Sequence, residues 1–201
     1  MGTDIHGFFQ KYENNQWVDI LDDYDQRRDY LLFEVLVNPR NHENITSIAP
    51  IRGLPDQFVV DEDNCYLTSN LDLWRSKEIQ EIWEADDYLK IYLGDHSFSW
   101  LSGDEMLEWY STSKINTVDG LIAYKDYPDW DRVYDPKFDY SLYLSNSIVL
   151  SEEQYKLGKQ GDYVRVYWQQ DIREYLSYFF DEVARLKSEH GKIRFIFGFD
   201  S

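Results

Sequence analysis

A single cysteine, Cys65, stands in 201 residues, so no disulfide can close within the chain and a reducing compartment is expected. The preceding Asp61-Glu62-Asp63-Asn64 would disfavour its thiolate, which argues against a cysteine nucleophile. No run approaches the ~18 consecutive apolar residues of a membrane span. The first residues lack the basic and apolar regions of a signal peptide. His6 stands where a myristoylation signal needs Ser or Thr. A cytoplasmic protein with no membrane partner is the expectation. Also missing are a P-loop, a G-x-G-x-x-G turn, a paired C-x-x-C and a G-x-S-x-G elbow. The acidic runs Asp22-Asp23-Tyr24-Asp25 and Asp61-Glu62-Asp63 lack the Gly and closing Glu of a calcium loop.

Positive charge is scarce: 20 Lys and Arg face 38 Asp and Glu, a net charge of −18. A duplex-binding face needs several phosphate-neutralising cations, so direct nucleic-acid binding is not expected. The acidity serves ordinary solubility, or it imitates nucleic acid on the surface of a basic protein. Aromatic residues, by contrast, are plentiful at 17%, and each buried ring removes roughly 150–250 Å² from water. That supply builds an adequate core and excludes wholesale disorder.

The pattern along the chain predicts one α+β domain, residues 1–201, with an antiparallel or mixed sheet. Residues 4–12 and 17–21 form an N-terminal hairpin around a turn at 13–16. Strand periodicity puts Asp4, His6 and Phe8 on one face and Ile5 and Phe9 on the other. Residues 30–36 have helical spacing, ended by Asn38-Pro39. A long irregular connection follows over 38–56, and a helix is predicted over 76–85. Residues 94–101 read as a second irregular segment, then Ser102-Gly103-Asp104-Glu105 caps a helix over 103–110. The Asp-, Tyr- and Pro-rich stretch 116–140 reads as an acidic surface excursion. Ile172, Tyr175, Leu176, Phe179, Phe180, Val183 and Leu186 mark a C-terminal helix stopped by His190 and Gly191. Residues 192–199 then alternate as a strand, completing a helix–strand unit.

Three polar turns carry the chemistry. Asp4 and His6, two apart on a strand, form an acid–base pair, two ligands for a divalent metal, or a hydrogen-bonded pair in a half-buried hairpin. Asp95 and His96 repeat that pairing, and Ser97 and Ser99 add hydroxyls just before a helix start, where anions collect. Those hydroxyls equally suit local turns and caps. Arg52, held between Gly53 and Pro55, is either a clamp for phosphate or carboxylate or one half of a salt bridge. Arg28 and Arg40 are weaker versions of the same argument. His42 lies in a polar loop and His190 at a helix end, where its charge suits the dipole.

The opening Met1-Gly2-Thr3-Asp4-Ile5-His6 resembles a family of uncharacterised phage and bacterial proteins that begin M-G-x-D-I-H. Further landmarks follow in order: Arg28 to Phe33, Pro50-Ile51-Arg52-Gly53-Leu54-Pro55-Asp56, Asp95-His96-Ser97-Phe98-Ser99-Trp100-Leu101, and the closing Ile193 to Asp200. Val37-Asn38-Pro39-Arg40-Asn41 departs from the family's usual turn, and 116–140 lies outside the likeness. The resemblance implies a phage or mobile-element origin and work in the host cytoplasm, with no activity attached. Its landmarks coincide with the polar turns chosen on chemistry. They support one joint site of Asp4, His6, Arg52, Asp95 and His96, with Arg28, Arg40, Ser97 and Ser99 as further ligand-binding candidates.

Two functions follow. The first is an enzyme-like pocket for a small phosphorylated or nucleotide-derived ligand, which it hydrolyses or merely sequesters. Asp4, His6 and His96 would hold a divalent metal, or Asp4, His6, Asp95 and His96 would do acid–base work. The second is an acidic interaction protein that occupies a basic host defence protein by nucleic-acid mimicry, using 116–140.

Overall fold

The computed structural model describes residues 3–20, 28–39, 45–56, 58–61, 66–68 and 91–200, with backbone alone at 59–61, 66–68 and 91. In chain order the elements are β1 (Asp4–Glu13), β2 (Gln16–Ile20), α1 (Tyr30–Leu36), β3 (Val59–Asp61), β4 (Tyr66–Thr68), β5 (Ile91–Tyr92), β6 (His96–Ser102) and α2 (Gly103–Ser111). They continue as β7 (Ile115–Ala123), β8 (Val149–Ser151), α3 (Glu152–Lys156), β9 (Tyr163–Asp171), α4 (Ser177–His190) and β10 (Ile193–Asp200). Short 3-10 turns lie at Tyr127–Asp129, Tyr140–Leu142 and Ile172–Leu176. The class is α+β, as the sequence predicts. The chain gathers into two compact units, Met1–Thr112 with Leu176–Ser201, and Ser113–Tyr175.

In the first unit a four-stranded antiparallel sheet has the order β2-β1-β10-β6. The predicted hairpin opens it. Its turn residues Asn14 and Asn15 both take positive φ, 51° and 64°, the two-residue geometry whose twist matches paired strands. β1 then runs antiparallel to the last strand, from Asp4 opposite Asp200 to Lys11 opposite Ile193. Ile5 and Phe9 face the helices, where Phe9, Phe179, Phe195, Phe197 and Phe199 interlock with ring centroids 4.6–6.2 Å apart. On the other face Ile196 and Leu93 are buried under Phe8, Leu54, Phe58, Phe98 and Trp100. With both faces covered, β10 is buried from Ile193 to Phe199.

Several of the caps read from the sequence are formed. Asp29 caps α1 by accepting from the Leu32 N–H, and Asn38 turns the chain out at φ 46° before Pro39. Ser102 and Glu105 form a reciprocal capping box on α2. Gly191, at φ 78°, ends α4. The start of the C-terminal helical pattern differs from the expectation. Residues 172–176 are 3-10, and α4 proper begins at Ser177.

Segment 94–101 is also a correction: from His96 onward it is strand β6, paired with β10. Its serines disguised a strand with Ser99 and Leu101 buried on one face and Phe98 and Trp100 half-buried on the other. The described part of 38–56 holds neither helix nor strand, and β3, β4 and β5 form a small antiparallel sheet. The predicted helix 76–85, together with Arg40, His42 and Cys65, lies outside the described residues.

The second unit is a three-stranded mixed sheet, β7-β9-β8, antiparallel between β7 and β9 and parallel between β8 and β9. Ile122, Tyr127, Val164, Val166 and Trp168 form its core. The stretch 116–140 therefore opens as strand β7 and becomes irregular only after Ala123.

Candidate functional site

Antiparallel pairing of the first and last strands sets the chain's opening motif against its final residues. Asp4 lies opposite Asp200, and the Asp4 N–H donates to Asp200 Oδ1 at 3.0 Å. His6 Nε2 lies 3.0 Å from Asp200 Oδ2. A carboxylate only accepts, so a neutral His6 carries its proton on Nε2 and presents Nδ1 as the open acceptor. The ring is fixed edge-on against Tyr92 at 4.5 Å between centroids.

Arg28 grips the Asp4 carboxylate with two parallel bonds, Nε to Oδ1 at 2.5 Å and Nη2 to Oδ2 at 2.6 Å. It is held in place by its neighbour Asp29, which caps α1 and accepts from the Tyr178 hydroxyl at 3.0 Å. The Arg28 guanidinium draws the Asp4 carboxyl below its ordinary range, and Asp4 in turn raises the arginine. Both remain ionised at neutral pH, and the Arg28 Nη1 takes no part in the pair.

On the other flank of β10, the Asp95 N–H donates to the Phe199 carbonyl at 2.7 Å. Here β6 bulges: Ser99 pairs with Phe197 and His96 with Phe199, so Ser97 and Phe98 together oppose the single Gly198. A side chain at Gly198 would collide with the Leu93 carbonyl and the Phe98 ring, so the close passage requires glycine. His96 stacks on Phe199, with centroids 6.1 Å apart.

The sequence-predicted residues thus divide. Asp4, His6 and Arg28 meet at one corner, and Asp95, His96 and Ser97 gather at the bulge beside the same end of β10. His6 lies opposite Gly198 and His96 opposite Phe199, successive residues whose side-chain directions fall on opposite faces of the sheet. The two imidazoles therefore do not converge. Among the described residues, no group of three or more His, Cys, Asp or Glu side chains is arranged to hold a metal ion.

Arg52 is elsewhere. Its guanidinium lies over Trp100 and pairs with Glu105 at 3.1 and 2.5 Å, near the α2 end of β6. Trp100 is four residues from His96, about 13 Å along a strand. Of the two readings of Arg52, the salt bridge is the one formed. The Arg52 guanidinium, and then the Ser102 bonds, hold the Glu105 carboxyl down to about 2 against a desolvation cost. Ser99 is fully buried and accepts the Arg52 N–H at 3.2 Å, so it fastens the loop and does not face a ligand. His190 sits at the end of α4, 3.9 Å from Glu189.

No family model, curated protein or solved structure matches this chain.

The corner is consequently read from its own atoms. Sequence reasoning missed Asp200, the carboxylate that orients His6, and Tyr92, the ring against it. A signal for Asp200 was present: it is the one acid of the closing strand, and pairing of the terminal strands delivers it to the Asp4-His6 motif. No helix among the described residues is long and apolar enough to cross a membrane.

Proposed function

We propose that the β1–β10 corner is an acid–base site for a small phosphorylated or nucleotide-derived ligand, which it hydrolyses or sequesters. The observation that carries this reading is the His6–Asp200 contact at 3.0 Å, fastened beside the Asp4–Arg28 clasp. Asp200 orients the imidazole through Nε2, leaving Nδ1 to take a proton from water or a ligand hydroxyl. Arg28, prepositioned by Asp4, offers its remaining nitrogen to an anionic oxygen. A divalent ion arriving with the ligand would meet the Asp4 and Asp200 carboxylates. The likeness to phage and bacterial proteins supports a role in the host cytoplasm.

Calorimetric titration of the full chain with a panel of nucleotides and sugar phosphates, with and without Mg²⁺, tests it. Binding or turnover should fall at least about tenfold in His6→Gln, Asp200→Asn and Arg28→Gln, each checked for an unchanged circular-dichroism spectrum. Unaltered binding by folded His6→Gln would remove the proposal.

The placement of charge favours a second reading, an acidic interaction protein that occupies a basic host protein. Residues 1–112 and 176–201 contain 27 acidic and 12 basic residues, net −15, whereas 113–175 contains 11 and 8, net −3. A nucleic-acid-like surface therefore belongs on the first unit. Reversing Asp126, Asp129, Asp131 and Asp135 should leave binding to a basic partner nearly intact; abolished binding would return the contact to 116–140.

A further inference from the structure

We propose that Ser97 is a nucleophile activated by His96 and Asp95, forming a second reaction centre that acts on neutral carboxylic esters. Ser97 holds φ 54°, an uncommon backbone conformation for a residue other than Gly, and strain of this kind persists where the surroundings impose it. The bulge imposes it here and turns the hydroxyl back onto the preceding ring, with Ser97 Oγ 2.9 Å from His96 Nδ1. The ring is steadied by Phe199, and the Asp95 backbone by its bond to the Phe199 carbonyl.

The placement of Asp95 agrees with the role. Asp95 Oδ1 lies 3.8 Å from His96 Nε2, within ion-pair range though too long for a direct hydrogen bond. Nε2 faces Asp95 and Nδ1 faces the Ser97 hydroxyl, so the tautomer carrying its proton on Nε2 leaves the Nδ1 lone pair for the serine proton. The His96 and Asp95 side chains are 36% and 45% exposed, so a substrate can reach them.

Charge selects the substrate class. Among the described residues no Lys or Arg contacts Asp95, His96 or Ser97, and Asp95 would repel a phosphate. An uncharged ester meets no such barrier. Ser97 Oγ would attack the carbonyl carbon as its proton passes to His96 Nδ1. The bond to the leaving oxygen breaks, and the alcohol departs with that proton. Water, deprotonated by the same nitrogen, then cleaves the acyl-serine, releasing the acid and restoring the hydroxyl.

Two probes test this on the full chain: a fluorophosphonate, which serine captures with loss of fluoride, and p-nitrophenyl acetate. Neither needs the His6 corner, so this test and the nucleotide titration fail independently. One adduct is expected, mapped to Ser97 by peptide mass spectrometry and absent from Ser97→Ala. His96→Gln should slow both reactions about 100-fold or more, and Asp95→Asn about tenfold. Ser97→Cys supplies a second measure should Ser97→Ala misfold: iodoacetamide should alkylate it faster than it alkylates the Ser97→Cys, His96→Gln double variant. Folded wild type without an adduct at Ser97, equal labelling in His96→Gln, or equal alkylation of the two cysteine variants would each overturn the proposal.

Discussion

The two units use their large apolar residues in opposite ways. In the first, Phe179, Phe180, Phe195, Phe197 and Phe199 are fully buried, and no described large apolar side chain is more than 46% exposed. In the second, Tyr134, Tyr140, Leu142, Leu144 and Leu157 are 62–72% exposed. Charge runs the same way, with the first unit strongly acidic and the second nearly balanced. A well-packed core lets the first unit hold polar groups in fixed and partly strained positions at the end of its sheet. The second unit has a smaller core, centred on the Ile122, Tyr127, Val164, Val166 and Trp168 cluster, and leaves much apolar surface in contact with water.

The largest expected effect probes that packing. Phe197→Ala removes a fully buried ring that contacts Phe195 and Phe199, and should cost about 3–5 kcal/mol in denaturant unfolding. A cost below about 1 kcal/mol would mean the ring is not part of a tight core. Following Trp168 in the second unit and Trp100 in the first sharpens the comparison, because coincident transitions would show that the units unfold together.

Next in size is Asp171, which ties the end of β9 to the residues that lead into β7. It accepts from Arg173 Nη2 at 2.6 Å, Ser113 Oγ at 2.9 Å and the Lys114 N–H at 3.2 Å. The Arg173 guanidinium holds its carboxyl far below the ordinary range against the opposing effect of burial. A depressed folded value means the stabilisation is complete above the unfolded carboxyl's ~3.9 and is lost as pH falls toward the folded value. Asp171→Asn should cost about 2–3 kcal/mol at neutral pH and flatten the acid limb of the stability profile. An unchanged acid limb would show that these bonds carry no net stability.

Glu105 makes a similar contribution in the first unit, at a more exposed place. Its stabilisation should be complete above the unfolded value near 4.3 and fade as pH falls to about 2. Its side chain is 36% exposed, so solvent screens the Arg52 pair. Glu105→Gln, which keeps an acceptor for the cap, should cost about 0.5–1 kcal/mol, read as a small drop in melting temperature. A loss as large as that of Asp171→Asn would place this pair among the buried ones.

Much of this frame was legible in the sequence because local chemistry decided it. Asn14-Asn15, Asp29, the Ser102–Glu105 box and Gly191 each dictate a turn or cap regardless of what packs nearby. β6 was not legible. Serines on its buried face and half-buried rings on the other blur the alternation, and those serines are explained only by the bulge and by the Arg52 loop lying across it. For the candidate site, residue types picked out polar groups that lie near one end of the sheet, but pairing decided the grouping. Register separates His6 from His96, and Glu105, acidic in its own right as part of the cap, takes the arginine that composition left free to bind an anion. Long-range pairing of that kind leaves no mark in a local window.

The smallest expected effect tests the second unit's surface. Tyr140 to Ser151 contains no charged residue, although 29% of the chain is charged. The backbone there is well fastened. Asp139 accepts from the Ser141 N–H, Leu144 donates to Ser147 Oγ, Ile148 donates to Asp162 Oδ2, and the Tyr163 hydroxyl donates to the Leu142 carbonyl. The exposed side chains are therefore presented by an ordered segment. Leu142→Ser and Leu144→Ser lose little burial and should change stability by no more than about 0.5 kcal/mol. Calorimetric melting of the double variant decides it. A loss beyond about 1 kcal/mol would mean these leucines are covered in solution, and the contrast between a packed unit and an open one would then fail at its clearest point.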